Sequence, residues 1–91
     1  MSMNLSIIAR KKSQNIECPI FQTPTDISEK IYAPGNLELT LKNYIGWVNE
    51  YLGGLYPDVY TPSYIADHEK SIRAFIKQRK DEGFKISFYV S

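Results

Sequence analysis

The run Phe84-Lys85-Ile86-Ser87-Phe88-Tyr89-Val90, which follows Gly83, alternates between two kinds of side chain. In an extended chain successive side chains point to opposite sides, so every second residue shares a face. The residues that share the apolar face are Phe84, Ile86, Phe88 and Val90. The alternation therefore predicts a strand with one buried face and with Lys85, Ser87 and Tyr89 on the other face.

Residues 3–10 repeat the same period of two near the start of the sequence. The side chains on the apolar face of this segment are Met3, Leu5, Ile7 and Ala9. A basic cluster at 10–12 ends the predicted strand, and residues 13–15 predict a turn. A weaker extended segment follows at 16–21, where Pro19 lacks an N–H donor and favours a sheet edge. We expect the first and last strands to pair.

Two shorter features lie between the first strands and the main helices. Residues 25–32 predict a short helix, with Asp26 as its cap and Glu29 three residues later. Apolar and polar residues then alternate over 37–41, which predicts a brief extended segment.

Two main helices follow. Thr40 is suited to begin the first helix, because its hydroxyl can accept from backbone N–H groups of the first turn. This helix is predicted to end at Leu52, with Gly53 in the left-handed conformation. Thr61-Pro62 begins the second helix, since proline at the first helical position loses no hydrogen bond. Gly83 ends it.

Length and composition restrict the class of protein. The chain has 91 residues, a formal net charge of +1 and one cysteine, Cys18. A domain of this size has room for one core and one binding face. Near-neutral charge provides no general attraction to nucleic acid, and one cysteine forms neither an internal disulfide nor a zinc site. We expect a single α+β domain over residues 1–91, cytoplasmic, with a small sheet, both main helices on one of its faces, no cofactor, no metal and no membrane span.

Aromatic residues make up an unusual 13% of the chain, and seven of them are tyrosines. The loop predicted at 53–62 is rich in glycine and proline, which favours a fixed outward position for Tyr56 and Tyr60, with Asp58 between them. Aromatic anchors are typical hot spots of protein interfaces. The predicted protein-binding residues are Trp47, Tyr56, Asp58 and Tyr60. The alternative is that Tyr51 and Tyr64 complete the core and only the tyrosines of the loop are exposed.

A basic stripe on the second main helix offers a different function. At about 100° per residue its members fall on one face of the helix. They are Lys70, Arg73, Lys77 and Lys80. Such a row could contact nucleic-acid phosphates, and residues 10–12 could extend it. The alternative is a solvated helix face, because Glu69 lies four residues before Arg73 and can pair with it.

A catalytic set is not evident in the sequence. His68 is the one histidine, and a general base needs an oriented nucleophile within reach. Pairing of His68 with Cys18 would require the fold to bring them together, and no third orienting residue can be identified. A half-buried structural role for His68 is therefore preferred, and no catalytic residue is predicted.

The segment from Ser71 through Gly83 to Ser91 resembles the closing helix–glycine–strand of barstar-type ribonuclease inhibitors. The resemblance covers about a fifth of the chain and is restricted to the residues that end the helix and begin the strand. Barstar-type inhibitors are acidic, whereas this chain has a net charge of +1. The resemblance implies that a domain of this size can act as an inhibitor, and no binding residue is transferred from it.

Three hypotheses of function follow. The leading one is a small non-enzymatic protein-binding module that inhibits or modulates another protein, of the immunity, antitoxin or phage anti-defence type. The alternative is a nucleic-acid-binding protein that uses the basic stripe. The third is a homodimeric structural or interaction protein, because a two-fold contact uses one aromatic patch on both chains.

Overall fold

The computed structural model describes residues 4–90, without the side chain of Thr25. The elements, in chain order, are β1 (Leu5–Lys11), β2 (Gln14–Glu17), α1 (Thr25–Ile31), α2 (Leu37–Trp47), α3 (Gly53–Leu55), α4 (Pro62–Asp81) and β3 (Lys85–Val90). A π-helical turn, Val48–Leu52, joins α2 to the single turn of α3 without interruption. The predicted α+β class is confirmed.

The sheet has the strand order β2-β1-β3, and both pairs are antiparallel. Leu5 lies opposite Val90 and Arg10 lies opposite Lys85, so the predicted pairing of the first and last strands is confirmed. Met3, which was predicted to begin the first strand, lies outside the described residues. The turn before β2 is shorter than predicted, because residues 14–15 already pair with β1.

The core lies on one face of this sheet. Leu5, Ile7 and Ala9 are all buried, as the period of two predicts. Helices α1, α2 and α4 cover this face with Ile31, Leu41, Tyr44, Ile65 and Ile72, among others. Both main helices therefore pack on the same side of the sheet, and the opposite face stays open.

The start of α2 corrects the prediction for Thr40. The helix begins at Leu37, and the cap is Asn36, whose Oδ1 accepts from the backbone N–H of Leu39 at 3.0 Å. Thr40 lies inside the helix with no exposed surface, and its hydroxyl accepts from the N–H of Ala33 at 2.9 Å. The extended segment predicted at 37–41 is therefore wrong. Leu37 and Leu41 share a helix face, because residues four apart do so as readily as residues two apart share a strand face.

The end of this helix was also predicted too early. Gly53 has a right-handed φ of −65°, so the helical path continues through it to Leu55. The backbone N–H of Tyr56 then donates to the carbonyl of Leu52 at 2.8 Å. The connection to α4 is therefore confined to residues 56–61, which is shorter and more restrained than the predicted loop.

Of the other predicted helix boundaries, those of α4 are confirmed and the cap of α1 is not. The side chain of Thr61 caps α4 by accepting from the N–H of Tyr64, and Gly83 ends the helix region with a φ of +92°, as predicted. The predicted cap of α1 is wrong. Pro24 occupies the cap position. Asp26 lies in the first turn, where its negative charge interacts favourably with the positive end of the helix dipole.

Candidate functional site

A cleft of about 520 Å³ lies between the π-helical turn, the start of α4 and residues 20–24. Its rings come from Tyr44, Trp47, Tyr60, Tyr64 and His68, and its aliphatic wall comes from Ile20, Pro24, Val48 and Leu52. None of the described residues that line it carries a fixed charge. An ionic group placed there would lose hydration without gaining a counter-charge, so the cleft suits an uncharged group.

A hydrogen bond between two side chains forms the floor of the cleft. Tyr44 is buried, and its Oη lies 2.9 Å from His68 Nε2. Burial raises the pKa of Tyr44 to about 12 and lowers the pKa of His68, so both groups are neutral at pH 7. The tyrosine hydroxyl can then donate to the imidazole nitrogen. A tyrosine held protonated at pH 7 is a poor nucleophile.

The wall formed by residues 20–24 is held by a buried serine. Ser28 has no exposed surface, and its Oγ lies 2.6 Å from Thr23 Oγ1 and 3.1 Å from the carbonyl oxygen of Pro24, to which it donates. Both partners line the cleft. The first turn of α1 therefore fixes the position of the wall relative to the helices.

The opposite wall contains the π-helical turn. Its wider path is closed by a bond from the N–H of Gly53 to the carbonyl of Val48, five residues earlier. Val48 and Leu52 from this turn face the cleft, and Tyr51 lies outside it. Short π-helical turns are rare and occur frequently at functional sites. The sequence does not predict this turn, because its residues are compatible with an ordinary helix.

A row of rings continues from the floor of the cleft to its outer edge. The ring of Tyr64 is stacked on His68 with an angle of 11° between their planes. Tyr60 meets Tyr64 edge-on at 5.5 Å between centroids, and Tyr56 follows at 6.4 Å from Tyr60. Contacts of this kind add stability beyond simple burial and hold each ring in place.

The elements that border the cleft also carry exposed large apolar side chains, and we call this surface the rim. We define it by the residues Tyr51, Leu55, Tyr56, Val59 and Tyr64, whose exposed fractions lie between 49% and 59%. They come from the π-helical turn, α3, the 56–61 connection and the start of α4. Large apolar side chains exposed together mark interaction surfaces more often than scattered ones do.

The four residues predicted to bind a protein are placed differently. Trp47 and Tyr60 line the cleft, and Tyr56 lies on the rim. Asp58 is exposed on the connection and is not among the residues that line the cleft. The prediction missed Tyr44 and His68 at the floor. Both residues lie on helix faces that point towards each other in the fold. The sequence does not show that these two faces meet.

The indole of Trp47 contributes an unusual polar group. Its Nε1 is buried and finds no hydrogen-bond acceptor within the described part of the chain. A buried donor without a partner costs about 1–3 kcal/mol. The ring is stacked on Tyr51 with an angle of 14° between the planes, which joins the cleft to its rim.

The basic stripe on α4 is divided by an ion-pair network. Arg73 binds both carboxylate oxygens of Glu38, at 2.7 and 3.0 Å, and Glu69 at 3.0 Å. These hydrogen bonds raise the pKa of Arg73 above its ordinary value. The other three members, Lys70, Lys77 and Lys80, are exposed. Arg73 thus joins α4 to α2, and three lysines are left to contact a phosphate backbone.

Other chemical features lie apart from the cleft. Cys18 is buried, its thiol pKa is raised chiefly by burial, and it is not among the cleft residues. Within residues 4–90, no three His, Cys, Asp or Glu side chains converge as metal ligands. The described helices also include none with the length and apolar character needed to cross a membrane.

No protein-family model, curated protein or solved structure matches this chain. Its function is therefore inferred from the chemistry of the cleft and the rim.

Proposed function

We propose that the chain is a non-enzymatic protein-binding module that contacts its partner through the cleft and the rim. The observation that carries the proposal is the continuous row of rings from the buried Tyr44–His68 pair to the exposed Tyr56. An apolar side chain of the partner enters the uncharged cleft, and the rim surrounds it. This arrangement matches interface hot spots, which are central, well packed and sheltered from water by neighbouring contacts.

The rigidity of the rim supports tight binding. The backbone N–H groups of Val59 and Tyr60 both donate to the carbonyl of Tyr56, at 3.1 and 2.9 Å, and Thr61 caps the following helix. Side chains held in place before binding lose little conformational entropy when the partner docks. Tyrosine adds a large contact area and a polar tip to this advantage.

A role as an inhibitor or modulator of another protein agrees with the small size of the chain and with the neutral Tyr44–His68 pair. A partner enzyme would be blocked by occupation of its surface, not by chemistry on the module. The immunity, antitoxin and phage anti-defence types belong to this class of function and are the hypotheses to test first.

The test is affinity capture with the tagged chain from a bacterial lysate, repeated after nuclease treatment and at high salt, followed by measurement of Kd for the recovered protein. We expect a stoichiometric partner whose affinity falls about 30-fold or more in Tyr56→Ala, the loss typical of an interface hot spot. The matched control is Tyr89→Ala, because Tyr89 is exposed to a similar extent, at 48% against 55%.

The outcomes separate the hypotheses. Equal binding by the wild type and Tyr56→Ala would refute the proposed contact surface. Loss of capture after nuclease treatment would favour a nucleic-acid partner. A mass of two chains in light scattering, reduced to one chain by Tyr56→Ala, would identify the partner as a second copy.

A further inference from the structure

The open face of the sheet carries a second group of chemically related residues. Strand partners in an antiparallel pair project to the same side, so Ser6, Ile8 and Arg10 share this face with their β3 partners. Those partners are Tyr89, Ser87 and Lys85, respectively. The helices cover the other face only, which leaves this surface available.

Two unpaired cations lie side by side on this face. Arg10 and Lys85 are directly opposite each other in the strand register, and both are exposed. Like charges in this position repel each other and oppose strand pairing. The ion pairs found within residues 4–90 all involve arginines of α4, so neither cation has a carboxylate partner there. A pair of this kind is a ready site for an anion.

The neighbouring basic residue shows the contrast. Lys11 projects to the other side of β1, where its Nζ donates to the carbonyl of Glu82 at 2.8 Å and lies 5.6 Å from the centre of the Phe84 ring. Lys11 therefore has a structural role at the end of α4. Arg10 and Lys85 have no comparable contact in the described structure.

An exposed aromatic ring completes the group. Tyr89 lies on the same face, is 48% exposed, and follows Lys85 by four residues, about 13 Å along the strand. The hydroxyl of Ser87 and the side chain of Asn15, which is opposite Arg10 on β2, add hydrogen-bonding groups. The one carboxylate on the three strands, Glu17, is opposite Ile8 and therefore projects to the same face, on the edge strand and two residue positions along β1 from Arg10.

We propose that the open sheet face binds single-stranded nucleic acid. Arg10 and Lys85 contact adjacent phosphates, and Tyr89 stacks against a base farther along the strand. Single strands present both their phosphates and the faces of their bases, whereas a duplex hides its base faces. This surface lies apart from the cleft, so the proposal goes beyond protein binding and does not depend on it.

The test is fluorescence anisotropy with labelled oligo-uridine and oligo-thymidine of about 12 nucleotides, compared with a duplex of equal length. We expect both single strands to bind more tightly than the duplex. Two phosphate contacts predict a slope of log affinity against log salt of about −1.4 for a single strand. Comparison of oligo-uridine with oligo-thymidine shows whether the face binds RNA, DNA or both.

Variants assign the binding to the face. Arg10→Ala/Lys85→Ala should bring the slope close to zero, and Tyr89→Ala should weaken binding about five- to hundred-fold, as expected for one lost stacking contact. Lys77→Ala/Lys80→Ala is the matched control, because it removes the same charge from the stripe on α4. Circular dichroism checks that each variant is folded.

Three results would overturn the proposal. One is an equal loss of affinity in the sheet and stripe variants, and another is duplex binding as tight as single-strand binding. The third is binding to phosphatidylserine vesicles without binding to either oligonucleotide. Tyr56→Ala should leave oligonucleotide affinity unchanged, so failure here and failure of the protein-binding proposal can be told apart.

Discussion

Replacing Thr40 with valine removes the hydroxyl by which α2 binds Ala33, in the connection that follows α1. Thr40 has no exposed surface, its Oγ1 accepts from the N–H of Ala33 at 2.9 Å, and it donates to the carbonyl of Asn36 at 2.9 Å. Valine has nearly the same shape but can neither accept nor donate. The substitution therefore leaves the Ala33 N–H without its partner while it preserves the packing.

The cost follows from this geometry. Loss of the partner of a buried donor destabilises a protein by about 1–3 kcal/mol, and we expect about 2 kcal/mol for Thr40→Val. Domains of 60–100 residues lose roughly 4–8 °C in Tm for each kcal/mol. The expected fall in Tm is therefore about 8–16 °C. Thr40→Ser keeps the hydroxyl and loses one buried methyl group, so it should cost only about 1 kcal/mol.

The assay is urea and thermal unfolding followed by far-ultraviolet circular dichroism, with two further variants. Asn36→Ala removes the true cap of α2 and should cost about 1 kcal/mol. Thr40→Asp distinguishes a Thr40 that caps the helix from a Thr40 that is buried inside it. Aspartate caps a helix as well as threonine does, but a buried, unpaired carboxylate costs several kcal/mol. A Thr40→Asp variant as stable as the wild type would refute the buried placement.

A pH titration with one control variant and two glycine substitutions test other parts of the fold. Burial lowers the pKa of His68, so the unfolded chain binds a proton first as the pH falls; we expect folding stability to decrease below about pH 6.5. Urea unfolding at about pH 7.5 and about pH 5 measures this loss, and a slope that persists in His68→Asn would contradict the assignment. Gly83 has a φ of +92°, so Gly83→Ala should cost about 1–2 kcal/mol of backbone strain. Gly46 lies within α2 with no atom near an added Cβ, so Gly46→Ala should stabilise the chain by up to about 1 kcal/mol. Equal Tm changes for these two glycine variants would show that backbone conformation does not determine their effect.

The strands were predictable because their signal is local. Side chains on β1 and β3 alternate with a period of two, and the buried face of β1 is the predicted one. The start of α4 at Thr61-Pro62 and its end at Gly83 were predictable for a similar reason, since caps depend on the chemistry of one or two residues.

The boundaries of α2 were not predictable in the same way. Asn36 and Thr40 are both acceptable caps on intrinsic preference, and the choice between them depends on whether Thr40 is buried against Ala33. Gly53 is likewise compatible with a left-handed end or a continuing helix. In the fold the helix continues, and Val48 and Leu52 of its π-helical turn join the hydrophobic core that includes Ile65.

By itself the sequence determined the α+β class, the pairing of the first and last strands, the buried face of β1 and the aromatic character of the 47–64 region, because these follow from composition and from the period of two in both strands. The tertiary structure alone decided the site. Tyr44 and His68 are 24 residues apart in the chain, and only the packing of α2 against α4 forms their hydrogen bond. The pairing of Arg73 with Glu38, 35 residues away, and the adjacency of Arg10 and Lys85 likewise depend on contacts between distant segments, which no local pattern encodes.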